Sequence, residues 1–314
     1  MRIATNSYSD SMLNQFNTLA AQQYTLQNQV STGLSVQAPS DDPTAMQNTL
    51  SDIEQQAAQT QYSANISTLQ TRATSVDSVL QSLQTVVSQA GEIATSAGSA
   101  TNSQSDLNNY ADQVNTLINQ VVNDANTKDP STGQYLFGGT ASGSAPFSTT
   151  TDANGNVTAV TYNGNSTVNQ TPIGAGLTTT ADIPGVNSGS NGARGLITDS
   201  QSGADLLNHL IQLRDDLNSG DTTAITNTDS ANIQKDQNNV AYQVANNGIT
   251  QNQLTNASTF ASSSNTNLTQ MISNSSSANL MNVMVELNQA QTAYQAALES
   301  SAKIMQTSLV NYLS

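Results

Sequence analysis

The chain has 314 residues, of which 9% are charged and 4% aromatic, and its formal net charge at pH 7 is −15. It contains no cysteine, which excludes disulfides, thiol catalysis and thiolate metal sites. Its seven lysines and arginines are scattered singly, so the sequence predicts no basic surface for nucleic acid or anionic membranes.

The first predicted element is an amphipathic helix over residues 11–30. Its apolar positions recur in alternating steps of four and three residues, the spacing of a heptad seam. Residues 11–40 include no charged residue, so flanking charges cannot select the partner of this helix. We expect the helix to end near Gly33, because glycine favours the position just after a helix. The seam comprises Met12, Phe16, Leu19, Gln23, Leu26 and Val30.

A second helix is predicted after the sequence Pro-Ser-Asp-Asp-Pro at residues 39–43. Pro43 fits the first helical turn, where its missing N–H costs nothing, and Asp42 suits the N-cap. The apolar stripe of this helix slips in phase near Gln59 and then runs without a break to Gly98. A third helix is predicted to end before Asp129.

The middle of the chain changes period. Residues 133–139 predict a short apolar strand bounded by glycines, and residues 157–162 predict a second strand between two Asn-Gly turns. Prolines and glycines punctuate the rest. The sequence therefore predicts a small β-rich insert over residues 141–195.

Helical periodicity returns at Ala204 and continues to a predicted stop at Gly220. A long polar helix is predicted over residues 222–264, with an interruption at Gly248, and a hinge is predicted at residues 273–277. The last helix is apolar along much of its length, with alanines that would let neighbouring helices approach. Its large apolar positions are Leu280, Met284, Leu287, Tyr294, Leu298, Met305, Leu309 and Tyr312.

The predicted fold class is mainly α, with long coiled-coil-like helices from both termini forming a rod and a small β-rich insert domain in the middle of the chain. We expect three parts, and the first of them is expected to be mobile in the monomer. They are a terminal helical assembly domain (1–45 and 270–314), an α-helical body (46–140 and 196–269) and an outward-facing insert (141–195).

Motifs that carry chemistry are scarce. His209 is the only histidine, so the sequence offers no Ser–His–Asp set and no histidine-rich metal site. Asp41 and Asp42 are better interpreted as a turn and a helix cap than as paired acid–base groups, and Asp152 as part of a hairpin turn rather than a calcium loop. We expect no catalytic residue, metal or cofactor, and we predict that the protein is not an enzyme.

Two terminal segments resemble the flagellin superfamily. Gln-Asn-Gln-Val-Ser-Thr-Gly at residues 27–33, followed by the Pro-Ser-Asp-Asp-Pro sequence, is similar to its N-terminal signature, in the form carried by hook–filament junction proteins. Tyr-Leu-Phe-Gly-Gly at residues 135–139 and the tail over residues 286–313 are similar to further segments of the same branch. Residues 34–36 lack the basic residue, and residues 275–279 the acidic residues, that the family often carries there.

The resemblance implies a structural subunit of the bacterial flagellum that joins hook to filament. It implies export through the flagellar type III apparatus, in keeping with an N-terminal sequence that has no apolar stretch typical of a secretory signal peptide. The implied partners are further copies of the chain in a ring, other hook-associated proteins, flagellin, and a cytoplasmic chaperone on the C-terminal helix. No nucleic acid and no membrane insertion are expected.

The large apolar residues of the two terminal helices are the predicted assembly interface, because long exposed apolar stripes mark interfaces. Two alternatives remain open from the sequence: the chain is a flagellin filament subunit, or it is a surface adhesin that uses the β insert. The predicted interface residues are Met12, Phe16, Leu19, Leu26, Val30, Leu280, Met284, Leu287, Tyr294, Leu298, Met305, Leu309 and Tyr312.

Overall fold

The computed structural model describes the backbone of residues 2–99 and 101–313 and the side chains of residues 10–99 and 101–303. Long helices form both ends of the chain and short strands lie between them, which confirms the predicted mainly α fold with a small β region. The helices are α1 (Arg2–Thr32), α2 (Pro43–Ala97), α3 (Gln104–Ala125), α4 (Leu206–Ser219), the single turn α5 (Thr222–Ala224), a π-helical turn (Ile225–Asp229), α6 (Ser230–Ser276) and α7 (Leu280–Leu313).

Local sequence signals set most helix ends. Ser103 and Asp106 form a capping box at the start of α3, in which each side chain bonds the other's backbone N–H. Gly220 ends α4 with a φ of +74°, as its position in the sequence predicts. The predicted interruption at Gly248 is wrong, since α6 runs through it. Packing of neighbouring residues such as Leu254, which is fully buried, outweighs the cost of about 1 kcal/mol for one helical glycine.

The β region consists of three small sheets. The predicted strand at Val157–Tyr162 is confirmed and forms an antiparallel hairpin with the strand before it. A second antiparallel pair follows, and the last sheet combines one parallel and one antiparallel pairing. The strands are β1 (Phe147–Thr151), β2 (Val157–Tyr162), β3 (Thr171–Gly174), β4 (Leu177–Thr179), β5 (Val186–Asn187), β6 (Thr198–Asp199) and β7 (Ala204–Asp205).

The strand predicted over residues 133–139 is wrong. This segment forms turns, with a single β-bridge between Tyr135 and Lys128. Leu136 and Phe137 are adjacent and both completely buried, whereas a strand would point them to opposite faces of a sheet. Side chains supply the hydrogen bonds that a neighbouring strand would otherwise give to these backbone carbonyls. The Arg72 guanidinium donates to the Leu136 carbonyl, and the Tyr162 hydroxyl donates to the Phe137 carbonyl.

The chain divides into two compact units, residues 1–58 with 263–314, and residues 59–262. The second unit contains a large core to which α2, α3, α4, α6 and the strands β1 and β2 contribute. Two buried arginines bind the β region to the helices. Arg72 of α2 pairs with Asp129 at 3.2 Å and with Asp182 at 2.5 Å, and Arg214 of α4 donates to the Val157 carbonyl of β2 at 2.6 Å.

Candidate assembly interface

The two terminal helices pack against each other in antiparallel fashion within the first unit. The link after α1 and the link before α7 hold this register, because each bonds the other. The Ser35 N–H donates to the Ser276 carbonyl at 2.7 Å, and the Ala278 N–H donates to the Gly33 carbonyl at 2.8 Å. The ends of the two helices are thereby fixed side by side.

The α1 seam predicted from the sequence is the face that contacts α7. Leu26 is buried against Val283 and Ala290, and Val30 packs at the edge of this small cluster. Further along, the ring of Phe16 meets that of Tyr294. Met12 and Leu19 are half-buried, whereas the residues between the seam positions are largely exposed. The heptad spacing of α1 therefore corresponds to a real packing face.

The matching face of α7 has steps of four and three, and it coincides only in part with the large apolar positions predicted from the sequence. Leu287 and Tyr294 lie on it. Ala290 and Ala297, two of the alanines expected to let a helix approach, lie on it too, and Val283 and Ser301 were not predicted. Gln23 Nε2 also donates to the Ala290 carbonyl at 3.0 Å. All six positions share one heptad phase, so the sequence contains the periodic pattern of this face. The larger side chains beside it form a second, more apolar stripe, which the prediction followed instead.

The remaining large residues of α7 point away from α1. Leu280, Met284 and Leu298 are about half exposed, and so is Val285, while Met281 is 77% exposed. A shallow groove along this helix is lined by Val285, Thr292, Ala293 and Ala296 among others. On α1, Leu13 and Tyr24 are 60% and 67% exposed. Met305, Leu309 and Tyr312 lie outside the residues whose side chains the structure describes.

The turn before α2 is built from two carboxylates. Asp42 accepts the N–H groups of Thr44 and Ala45, both at 2.9 Å, and Pro43 is the first residue of α2. Asp41 accepts the N–H groups of Gln37 and Ala38, and these bonds lower the pKa of its carboxyl group. Both aspartates thus organise backbone, as N-cap and turn residues do.

The residues considered for chemistry have structural partners. His209 Nδ1 lies 2.8 Å from Asp236 Oδ2, and burial raises the pKa of that aspartate. Asp152 accepts the N–H groups of Asn154 and Asn156 in the β1–β2 turn. Among the described residues no three histidine, cysteine or acidic side chains gather closely enough to hold a metal ion. None of the helices, over the part of the chain described, is long and apolar enough to cross a membrane.

The N-terminal part of the chain matches a known protein family. Residues 3–142 match the family model described as the bacterial flagellin N-terminal helical region. This match confirms the resemblance to the flagellin superfamily stated from the terminal motifs. A comparison with curated protein sequences finds no match.

Solved structures share the fold over most of the chain. A protein described as flagellar hook-associated, from Vibrio parahaemolyticus, aligns with a TM-score of 0.63 and 20% identity, covering 76% of this chain and 100% of that one. FlgL from Xanthomonas campestris gives 0.56 and 18%, covering 69% and 98%. The flagellar junction protein FlgL from Legionella pneumophila gives 0.54 and 15%, covering 74% and 100%.

Proposed function

We propose that this chain is a structural, non-enzymatic subunit of the bacterial flagellum that joins the hook to the filament. The fold shared with hook-associated proteins supports this role, and so does the flagellin-type N-terminal region. One observation carries the mechanical part of the proposal: both paired terminal helices keep large, uncharged apolar residues exposed on their outer faces.

Those outer faces are suited to contacts with neighbouring subunits. An exposed run of Leu280, Met281, Met284 and Val285 is unfavourable in water and becomes favourable when another helix covers it. The described part of α7 carries only Glu286, Glu299 and Lys303 as charged residues, so little charge must be desolvated on contact. We therefore assign the α1–α7 pair as the element through which copies meet in a ring.

The contact between α1 and α7 is small enough to open in a free subunit. Its buried cluster consists of Leu26, Val283 and Ala290, whereas the core of the other unit contains more than thirty buried residues. Regions with few buried contacts open most easily. In a verified monomer, we expect residues 10–40 and 275–303 to exchange their amide hydrogens much faster than α2 and α3. Protection of these residues equal to that of the core would contradict this expectation.

The same mobility would suit export and storage. The proposal includes export through the flagellar type III apparatus, with a cytoplasmic chaperone covering the apolar residues of α7 beforehand. It places the mature protein between another hook-associated protein and flagellin. A chaperone that binds the chain only when α7 is present would support this step.

A flagellin filament subunit is the second candidate, because the family model that matches is that of the flagellin N-terminal region. A strain lacking the gene separates the two functions. Bare hooks seen by electron microscopy, with monomeric flagellin in the medium, are expected for a junction subunit. Bare hooks without any flagellin would identify the chain as the filament subunit, and intact filaments would overturn both.

A further inference from the structure

The chain contains four Asn-Gly pairs, and each is a potential site of covalent change. In such a pair the glycine nitrogen loses its proton and attacks the asparagine side-chain carbonyl carbon, because glycine has no side chain to hinder the approach. A five-membered imide forms as the bond to the amide nitrogen breaks, and that nitrogen leaves as ammonia. Water then opens the ring to aspartate or isoaspartate. The fold decides which pairs can reach this geometry.

Three of the pairs are held back by their surroundings. Asn247 is buried in α6, and its amide donates to the Ala73 carbonyl at 3.1 Å. The Asn163 amide donates to the Ser148 hydroxyl at 3.1 Å. In the third pair the attacking group itself is engaged, since the Gly155 N–H donates to the Asp152 carbonyl at 3.2 Å. In each case a hydrogen bond must break before the ring can close.

The fourth pair, Asn191-Gly192, is free of such restraints. Both residues are exposed, and within the described structure neither the Asn191 side chain nor the Gly192 N–H makes a hydrogen bond. Gly192 has a φ of +94°, and no atom beyond Gly192 and its two chain neighbours lies within 4 Å of the place where a Cβ would stand. The space needed for ring closure is therefore open.

A buried neighbour also activates the peptide group. Asn187 is almost completely buried, and its amide donates to the Asn191 carbonyl at 3.2 Å and to the Ala193 carbonyl at 2.8 Å. A hydrogen bond to a peptide carbonyl polarises the whole group and makes its N–H more acidic. The N–H in question is that of Gly192, whose nitrogen makes the attack.

We propose that Asn191 is a site of spontaneous deamidation, set up by the exposed Gly192 nitrogen and by the Asn187 amide on the intervening carbonyl. The product adds a carboxylate to the loop between β5 and β6. It appears three residues before Arg194, whose guanidinium lies 4.1 Å from the Tyr242 ring centre. The modification is independent of the proposed assembly role.

The test is to age the full-length chain at mildly alkaline pH and to map it by tryptic digestion and tandem mass spectrometry. Cleavage after Lys128 and Arg194 releases one peptide with three of the pairs, and cleavage after Lys235 and Lys303 releases the fourth. Asn191 is expected to lose its amide first, roughly tenfold or more faster than Asn247, because α6 must open locally before Gly248 can react. Faster loss at Asn154 or Asn163, or an unchanged Asn191, would overturn the proposal.

Ageing in concentrated urea supplies the control for the fold. The four rates are expected to converge there, because the restraints and the Asn187 hydrogen bond are lost. If Asn191 leads by the same factor in urea, the folded geometry is not the cause and the proposal fails. The variant Asn191→Gln, in which ring closure is less favourable, is expected to retain its amide while the rates at the other three pairs stay unchanged.

Discussion

Phe16 of α1 and Tyr294 of α7 meet edge to face, with ring centres 5.8 Å apart and ring planes at 74°. This contact lies some distance along the helix pair from the hydrogen-bonded links at residues 33–35 and 276–278. It therefore fixes the relative rotation of the two helices where the links no longer do so.

Loss of this aromatic contact is expected to loosen the pairing of α1 with α7. A double-mutant cycle of Phe16→Ala and Tyr294→Ala should give a coupling energy of about 0.5–1.5 kcal/mol, the range for such aromatic pairs. The measurement is the local opening free energy of α1 amides, taken from millisecond hydrogen exchange. Leu13→Ala is the control, since Leu13 is exposed and should show no coupling to Tyr294.

The sequence predicts the α1 side of the α1–α7 pairing but only part of the α7 side. The sequence predicts the α1 seam completely, because most of its members are large and stand in an uncharged background. On α7 the large residues Leu280, Met284 and Leu298 are predicted as interface. The residues buried against α1 include the small side chains of Ala290 and Ser301. Only the partner helix determines which of two adjacent stripes is buried, and a single sequence does not give that information.

The sequence predicts that a small β region lies in the middle of the chain, but it does not predict all of its strands correctly. The Asn-Gly turn and alternating residues identified β2, because both signals are local. Leu136 and Phe137 have the apolar character of strand residues. In the turns that they form instead, the Leu136 carbonyl accepts a hydrogen bond from Arg72, which lies far away in the sequence. Such long-range polar contacts leave no local periodicity.

Arg72 is expected to be among the most important polar residues for stability. Arg72→Met leaves the buried carboxylate of Asp129 and the half-buried carboxylate of Asp182 without their cation, at a cost of about 3–5 kcal/mol in unfolding free energy. Urea unfolding followed by circular dichroism measures it. Lys235→Met removes an exposed cation and should change stability by less than about 0.5 kcal/mol. A similar small change for Arg72→Met would show that the ion pairs contribute little.

Gly139 is predicted to be intolerant of any side chain. Its φ is +63°, and an added Cβ would collide with the Asn165 carbonyl. Gly139→Ala is therefore expected to lower the unfolding free energy by more than about 1 kcal/mol. Gly143 is the matched control, because its surroundings are open, and Gly143→Ala should leave urea unfolding nearly unchanged. Equal behaviour of the two variants would contradict the close approach.

Asp229 is predicted to make stability depend on pH. Burial, and then the nearby carboxylate of Asp216, raise its pKa from 3.8 to about 7, while His209 acts in the opposite direction and Asp221 adds to the rise. The folded chain thus holds an extra proton between these values, so this group's contribution to stability falls as the pH rises through about 7.

The variant Asp229→Asn should remove that dependence. Its stability relative to the wild type is expected to increase as the pH is raised from 5 towards 8, a window given by the shifted pKa of about 7. Unfolding in urea at several pH values measures the difference. Asp112→Asn, at an exposed position of α3, should follow the wild-type profile. A constant difference between Asp229→Asn and the wild type would refute the assignment.

The central claim is that the outer apolar face of α7 joins neighbouring subunits in the flagellum. The most direct measurement introduces Met281→Asp into a strain lacking the gene and images the cells by electron microscopy. Asn282→Asp is the control, because it adds the same charge one residue away on the same helix. The account predicts bare hooks and shed flagellin for Met281→Asp and normal filaments for Asn282→Asp, with both proteins folded. Normal filaments in both strains would contradict it.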